Sequence, residues 1–431
     1  ITSCSVMTNN AYIGIDLGTS GCRAIAIDEQ CNIIAQCQLP LISPSSASNN
    51  FQQNPHEHWS TVVDVLSDLI PQCTNYTIQS LAVDATSGSV LITDTDGHAL
   101  SPILMYNHNK ALEQSRVIKN IAPENSAAHG VTSGLAKFLY LQQTVNLPAN
   151  SHYLHQVDWI NFNLGAPLGV TDENNALKSG YAPVQRCWPK WINQLTPLSH
   201  FPAVVAPGTV IGSLSAELCK QFDLSSSNPP KIKAGTTDSI AALIATGAHE
   251  YGDAVTSLGS TLVVKLISDT PLFSAQQGLY SHRLGDKWLV GGASNTGGAV
   301  LKHYFNDDEL QQLTASISLD DKVEEYYPLL SAGERFPIND PNLAAKLTPR
   351  PQSDALFLYG MLHAMAKIEK QAYQVLEQAG TSTLKSVRTV GGGSVNTVWQ
   401  TCRQQQLAVP FIPVKQSQAA YGSALLAKGI L

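Results

Sequence analysis

One short pattern occurs twice in the chain, and it restricts the folds open to it more than any other feature. Tyr12 to Asp28 read YIGIDLGTSGCRAIAID: an apolar run, a turn of small residues, then alternating apolar residues. That is the pattern of a β-hairpin with Leu17-Gly18-Thr19-Ser20-Gly21 as its turn. Ala254 to Ile267 read AVTSLGSTLVVKLI, where Leu258-Gly259-Ser260-Thr261 repeats the device. A spacing this wide is no solenoid period. It describes two related domains, each opening on a glycine-bearing hairpin, and 431 residues leave room for two or three domains.

The segments between the hairpins alternate in type. Ile78 to Asp84 reads as a strand, Thr86-Ser87-Gly88 turns into Val90 to Asp94, and Asp96-Gly97 makes a tight turn. Helical spacing runs through Pro55 to Leu69, Ala127 to Gln143, Asp238 to Gly247 and Ala355 to Ala379, with Gly380 as a stop. A strand from Lys231 leads to the third of these helices. Val387 to Val390 reads as a strand running into Gly391-Gly392-Gly393 and Ser394, then a helix from about Asn396. Alternating strands and helices predict an α/β chain whose sheets carry helices on both faces. The polar run Ser225 to Pro230 has the composition of a linker, but a boundary after the next strand and helix suits the repeat better.

Composition removes several function classes. Hydrophobic residues make up 43% and charged residues only 14%, so the bulk of the chain is not disordered. A net charge of −7 without a long basic run excludes a non-specific nucleic-acid binder. No apolar stretch approaches the ~18 residues of a membrane span. The first ten residues lack a signal-peptide pattern, and Met7 reads as a natural start with Ile1 to Val6 foreign to it. A cytoplasmic protein is expected. The eight cysteines (Cys4, Cys22, Cys31, Cys37, Cys73, Cys187, Cys219, Cys402) form no CxxC pair and are expected as reduced thiols. His56 and His58, flanking Glu57, read as a solvated helix start rather than a zinc site.

Small-residue turns let main-chain N–H groups approach an anion, while hydroxyls add donors. Two of them facing each other across a cleft would hold a chain of phosphates; each alone is equally a tight hairpin. GxxxxGK[ST], GxSxG and HExxH are all absent. Asp16 ends the first strand, where a carboxylate faces the turn and any bound cation. Asp238 follows Ala234-Gly235-Thr236-Thr237 at a helix start. Thr236 or Thr237 is expected to cap that helix, and the helix dipole alone would favour an acid at Asp238. The other reading makes Asp238 a general base for an acceptor alcohol. Arg23, among apolar neighbours, either pairs with a carboxylate or hydrogen-bonds a polyol.

Together these segments resemble the FGGY family of carbohydrate kinases along nearly the whole chain. DLGTSGCRA is similar to its first phosphate motif, Val83 to Ala111 to its second block, and VTDENNALKSGY to its central one. AGTTDSIAALIATGA looks like the segment of the catalytic aspartate, TSLGSTLVV the second phosphate motif, and VGGGSVNTVWQ the adenosine motif, with AAYGSALLA following. The short chain, YYPL and GERFPI resemble a small pentulose-kinase group of cyanobacteria and plants that phosphorylates D-ribulose. Where xylulokinases carry Trp-x-Asp-x-Arg, this chain has Tyr106-Asn107-His108-Asn109-Lys110.

The resemblance implies two ribonuclease-H-like α/β domains of the actin and hexokinase superfamily with an inter-domain active-site cleft. A sugar-binding domain over 1–245 and a nucleotide-binding domain over 246–415 are expected, with the helix of 416–431 packing back on the first. It implies phosphoryl transfer from ATP with Mg2+ to a ketopentose, by a monomer or weak homodimer. Asp238 would be catalytic and touch substrate; Asp16 would bind sugar or metal; Ser20, Gly21, Cys22 and Arg23 would line the sugar pocket. Thr19, Gly259, Ser260 and Thr261 would face phosphates, Gly392, Gly393, Ser394, Val395 and Asn396 would hold the nucleotide, and Trp399 would lie near adenine. The competing expectations are a D-xylulose kinase, an actin- or chaperone-like ATPase, and an idle sugar sensor.

Overall fold

The structure is a computed structural model that describes residues 9–41, 51–145, 147–274 and 276–431. Met7, Cys4 and the Ile1 to Val6 segment lie outside them. The chain divides into two compact units, Ile1–Ala245 with Gln416–Leu431, and Thr246–Lys415.

In the first unit, β1 (Asn9–Leu17), β2 (Gly21–Ile27) and β3 (Ile33–Pro40) form an antiparallel meander. Strict alternation puts Ala11, Ile13, Ile15 and Leu17 fully into one core, while Asp16 faces the other way. Helix α1 (Pro55–Leu69) covers that core, with Asn54 accepting from the His56 N–H as its cap and proline at its first position. Its Val62, Val65, Leu66 and Leu69 are 0% exposed, at about 1.5–3 kcal/mol each. Strand β4 (Tyr76–Ala85) then lies parallel to β1, with Asp84 beside Asp16.

Helix α2 (Leu112–Ile121) went unread in the sequence. Helix α3 (Gly134–Thr144) begins seven residues later than its periodicity predicts, because Gly130 sits at φ +101° and the Ser133 hydroxyl caps at Ala136. Strands β5 (Val210–Ser213) and β6 (Lys231–Thr237) complete a six-stranded mixed sheet ordered β5-β6-β4-β1-β2-β3, and β6 runs directly into α4 (Asp238–Ala245).

The second unit repeats the plan. β7 (Asp253–Leu258), β8 (Leu262–Ser268), β9 (His282–Leu284) and β10 (Lys287–Ser294) are followed by α5 (Gly298–Tyr304), α6 (Asp307–Ser316) and the long α7 (Asp354–Gln378). Strand β11 (Ser386–Val390) then pairs parallel with β7, as β4 does with β1, giving the order β9-β10-β8-β7-β11 before α8 (Thr397–Leu407). Behind this sheet Arg403 Nε donates to Glu369 at 2.6 Å, and Thr256 on β7 and Thr389 on β11 join the same buried pair.

Helix α9 (Ala419–Lys428) belongs to the first unit and is buried from Ala419 to Ala427. It lies between β1 and α4 at backbone contact: a Cβ on Gly14 would sit 2.0 Å from the Ala420 carbonyl oxygen, and one on Gly422 1.8 Å from that of Ala241. Among the described residues no helix is long and apolar enough to cross a membrane, and the seven described cysteines are all free thiols.

Candidate functional site

The turn between β1 and β2 opens onto a hollow of about 830 Å³ in the first unit, lined by Asp16, Thr19, Ser20, Arg23, Lys178 and Asp238 among others. Antiparallel pairing sets Asp16 directly opposite Arg23. The guanidinium donates through Nε to Gln38 Oε1 at 3.1 Å, with Nη2 on the same oxygen, and Gln38 is its register partner on β3. Of the two readings of Arg23, the carboxylate pairing is replaced by an amide, while its charge acts on Asp16 through space. Cys22 is a correction: alternation turns it away from Arg23 into the core, where it is 0% exposed and burial pushes its thiol pKa up. Its side chain does not reach the hollow. Gly21, against the β3 backbone, is not a lining residue.

Three carboxyls meet here. Burial raises the Asp16 pKa, Asp238 adds to the rise, and Asp84 and Arg23 pull it back. Asp84, 0% exposed, is driven further: burial, with the Asp16 charge behind it, holds its pKa well above the usual carboxylate range. Ser423 donates to its Oδ2 at 2.5 Å. As a bare carboxylate it would leave Oδ1 buried without a donor. A proton on Asp84 would remove one of two like charges from this buried pair, the direction in which burial and the Asp16 charge push it. Asp238 stands in the first turn of α4 and accepts from the Ser239 N–H at 2.6 Å. The expected threonine cap is not what the structure shows. Both threonines belong to β6; Thr236 takes the Asn174 amide at 3.0 Å, and the Thr237 hydroxyl is buried without a partner.

Sequence reasoning assigned no role to Asp84 or Lys178. The available signal for Asp84 was an acid closing a second apolar strand, as Asp16 closes the first; Lys178 was one polar residue in a quoted block. Burial lowers the Lys178 pKa while Asp238 pulls it up. Behind the hollow Lys137, 0% exposed, donates to the Gly88 carbonyl at 2.7 Å and to that of Tyr106 at 3.0 Å. Burial, then Lys178, lowers its pKa to about 7. Between that pH and about 10.5 the unfolded chain holds a proton that the folded lysine lacks, so stability rises with pH there. The stability of the native chain relative to Lys137→Met is therefore expected to grow from pH 7 to 9, by at most about 1.4 kcal/mol per pH unit. Parallel melting curves for the two across that range would refute it.

In the second unit the Gly259–Thr261 turn packs on the start of α5: Gly298 N–H donates to the Gly259 carbonyl at 2.8 Å and Ala299 N–H to that of Ser260 at 3.0 Å. Gly391, at φ +90°, closes on the same turn; a Cβ there would lie 2.7 Å from the Leu258 carbonyl oxygen. The two glycine turns thus touch. Beside them is a pocket of about 750 Å³ lined by Gly392, Gly393, Val395, Asn396 and Trp399, with Gly298 at its edge. Ser394 does not line it. Trp399, 0% exposed, lies beneath Gly393, whose Cβ would fall 2.6 Å from its ring. The crowded glycines are therefore 391 and 393, whereas Gly392 has open space. The segments YYPL and GERFPI also meet: Tyr327 donates to Glu334 at 2.9 Å, and Glu334 accepts from the Asn295 N–H at 2.7 Å, just ahead of α5.

Two α/β units, each with three antiparallel neighbouring strands and a parallel fourth, form the architecture of solved sugar kinases. The xylulose kinase from Rhodospirillum rubrum superposes with a TM-score of 0.83 at 20% identity, over 97% of this chain and 89% of that one. The models of the N-terminal and C-terminal domains of the FGGY family of carbohydrate kinases match residues 11–245 and 254–428, and the chain belongs to that family. It is 21% identical to the xylulose kinase of Staphylococcus epidermidis over 98% of this chain and 88% of the relative. It is 25% identical to the L-fuculokinase of Escherichia coli K12, over 97% and 92%.

Proposed function

We propose that this carbohydrate kinase transfers the γ-phosphate of ATP to the terminal hydroxyl of a free ketopentose, with D-ribulose as its preferred substrate and D-ribulose 5-phosphate as product. The observation that carries this reading is the composition of one hollow: Asp16 and Asp238 with the Arg23 guanidinium, the Ser20 hydroxyl and the Lys178 ammonium. Such a set offers acceptors and donors to a small polyol and a base to its reacting hydroxyl. In this reading residues 1–245 with 416–431 bind the sugar, and 246–415 bind the nucleotide.

Asp238 accepts the proton of the terminal hydroxyl as its oxygen attacks phosphorus. Asp16 holds the sugar or the metal, and Ser20 and Arg23 orient the hydroxyls. Thr19, Gly259, Ser260 and Thr261 face the phosphates, and Gly392, Gly393, Val395 and Asn396 hold the nucleoside. Mg2+ fits the donors present, since it takes one or two carboxylates with phosphate and water oxygens, and a cation beside Asp16 offsets the crowding of three carboxyls. When bound, it neutralises charge on the transferring phosphoryl group.

The sugar preference follows from the segment around Tyr106. D-ribulose and D-xylulose differ only at C3, so discrimination depends on how one hydroxyl is held. Tyr106 lines the hollow, and His108, where xylulokinases carry an acid, is a buried imidazole whose pKa burial lowers to about 4. A neutral ring cannot act as that carboxylate. Each lost polar partner costs on the order of 1–3 kcal/mol. The expected result is a kcat/KM at least about tenfold higher for D-ribulose, read as ADP release over a panel of pentuloses, pentoses and polyols. A preference for D-xylulose would overturn the sugar assignment, and equal ATP hydrolysis without sugar would overturn the transfer itself.

A further inference from the structure

His56 and His58 were expected as a solvated pair at a helix start; His58 is instead 1% exposed, with both ring nitrogens hydrogen-bonded. Its partners lead to the hollow on both sides. Gln53 Nε2 donates to the carbonyl of Thr19 at 2.9 Å, and a carbonyl can only accept. That orientation leaves Gln53 Oε1 facing His58 Nε2 at 2.7 Å, so Nε2 carries the hydrogen. Nδ1 is then an acceptor, and it meets Gln156 Nε2 at 2.8 Å. The Gln156 carbonyl oxygen in turn takes the Thr86 hydroxyl at 3.2 Å, and Thr86 shares a 2.6 Å contact with Ser89. Every donor in this chain points the same way, from Thr86 through Gln156, His58 and Gln53 to Thr19.

Thr19 and Thr86 both line the hollow. They sit on the turns that leave the neighbouring parallel strands β1 and β4, whose last residues, Leu17 and Ala85, are register partners. Strand pairing fixes those strands but stops at the turns. We propose that His58 is a positioning residue for the sugar: through Gln53 and Gln156 it ties the Gly18–Ser20 turn to the Thr86–Gly88 turn, setting the spacing of the groups that hold the substrate. The inference rests on the hollow being the sugar site. Burial lowers the His58 pKa to about 4, in keeping with the neutral Nε2–H form that the relay requires.

Three variants test it in the full chain with D-ribulose and ATP. His58→Leu removes both bonds and is expected to raise the KM for D-ribulose about tenfold, with a smaller rise in the KM for ATP through Thr19 and kcat within about twofold. His58→Gln keeps a donor near the Nε2 position and is expected to restore most of that loss. If the Leu variant does not fold, Gln156→Leu cuts the relay one step along and carries the same expectation. Nitrogen-15 NMR of the native chain, with the His58 signals assigned by their loss in His58→Gln, is expected to show that ring in its neutral Nε2–H form throughout pH 5.5–8. An unchanged KM for D-ribulose in folded His58→Leu, equal rises for both substrates, or an imidazolium at that ring near pH 6.5 would overturn the inference. Asp238→Asn run beside them separates the two failures: its loss of sugar-dependent turnover keeps the hollow as the sugar site even if His58 does nothing. Its full activity would overturn that reading, and the inference with it.

Discussion

Replacing Asp238 by asparagine is expected to lower kcat by roughly 10²–10⁴, the usual worth of a general base. The substitution keeps the shape of the side chain and the oxygen that accepts from the Ser239 N–H at 2.6 Å, and removes only the ability to take a proton. A charge in the first turn of a helix contributes at most ~1 kcal/mol, so the melting temperature should barely move. The loss should therefore be one of turnover, with D-ribulose still bound. Measured as sugar-dependent ADP release, activity within threefold of the native chain would remove Asp238 from the chemistry.

The largest expected effect on stability comes from a residue with no side chain. Gly14 lies on β1 two residues before Asp16, and a Cβ there would be 2.0 Å from the Ala420 carbonyl oxygen and 2.1 Å from the Ala424 nitrogen. Both atoms are helix backbone, which no rotamer change can move aside. In Gly14→Val, helix α9 must lift from the sheet or the strand must bend. Overpacking ordinarily costs 1–3 kcal/mol, and a branched side chain against backbone belongs at or above the top of that range. In a domain of this size ~3 kcal/mol corresponds to a fall of about 6–12 °C in Tm. Activity should fall too, because Ser417 to Ala419 line the hollow and Ser423 donates to Asp84 beside Asp16. Gly392→Ala, with open space and no positive φ, serves as the stability control and should melt with the native chain. A Gly14→Val protein as stable as that control would refute the contact.

The hairpins, their small-residue turns and the α/β alternation were all readable because strand alternation and turn chemistry are local. The same alternation separates Cys22 from Arg23; treating Ser20 to Arg23 as one lining segment overlooked that successive strand residues face opposite ways. The threonine cap failed for another local reason. A strand that passes straight into a helix leaves no loop residue to fold back, and Thr236 and Thr237 stay in the sheet. His58 could not have been placed from its own segment. Whether a polar residue on a helix is solvated depends on what packs over it, and here the partner is Gln156, 98 positions along the chain.

By itself, then, the amino-acid order determined two glycine-bearing hairpins, the acids Asp16 and Asp238 at element ends, and the segments through which the chain resembles its family, all set by interactions within a few residues. Only the tertiary structure decided that Asp84 lies beside Asp16, that Lys137 is buried, that α9 is enclosed between β1 and α4, and that His58 joins two turns. Each of those depends on strand pairing or burial against residues far away in the chain. Desolvation, which moves the pKa of Asp84 up and those of Lys137 and His58 down, has no local signature.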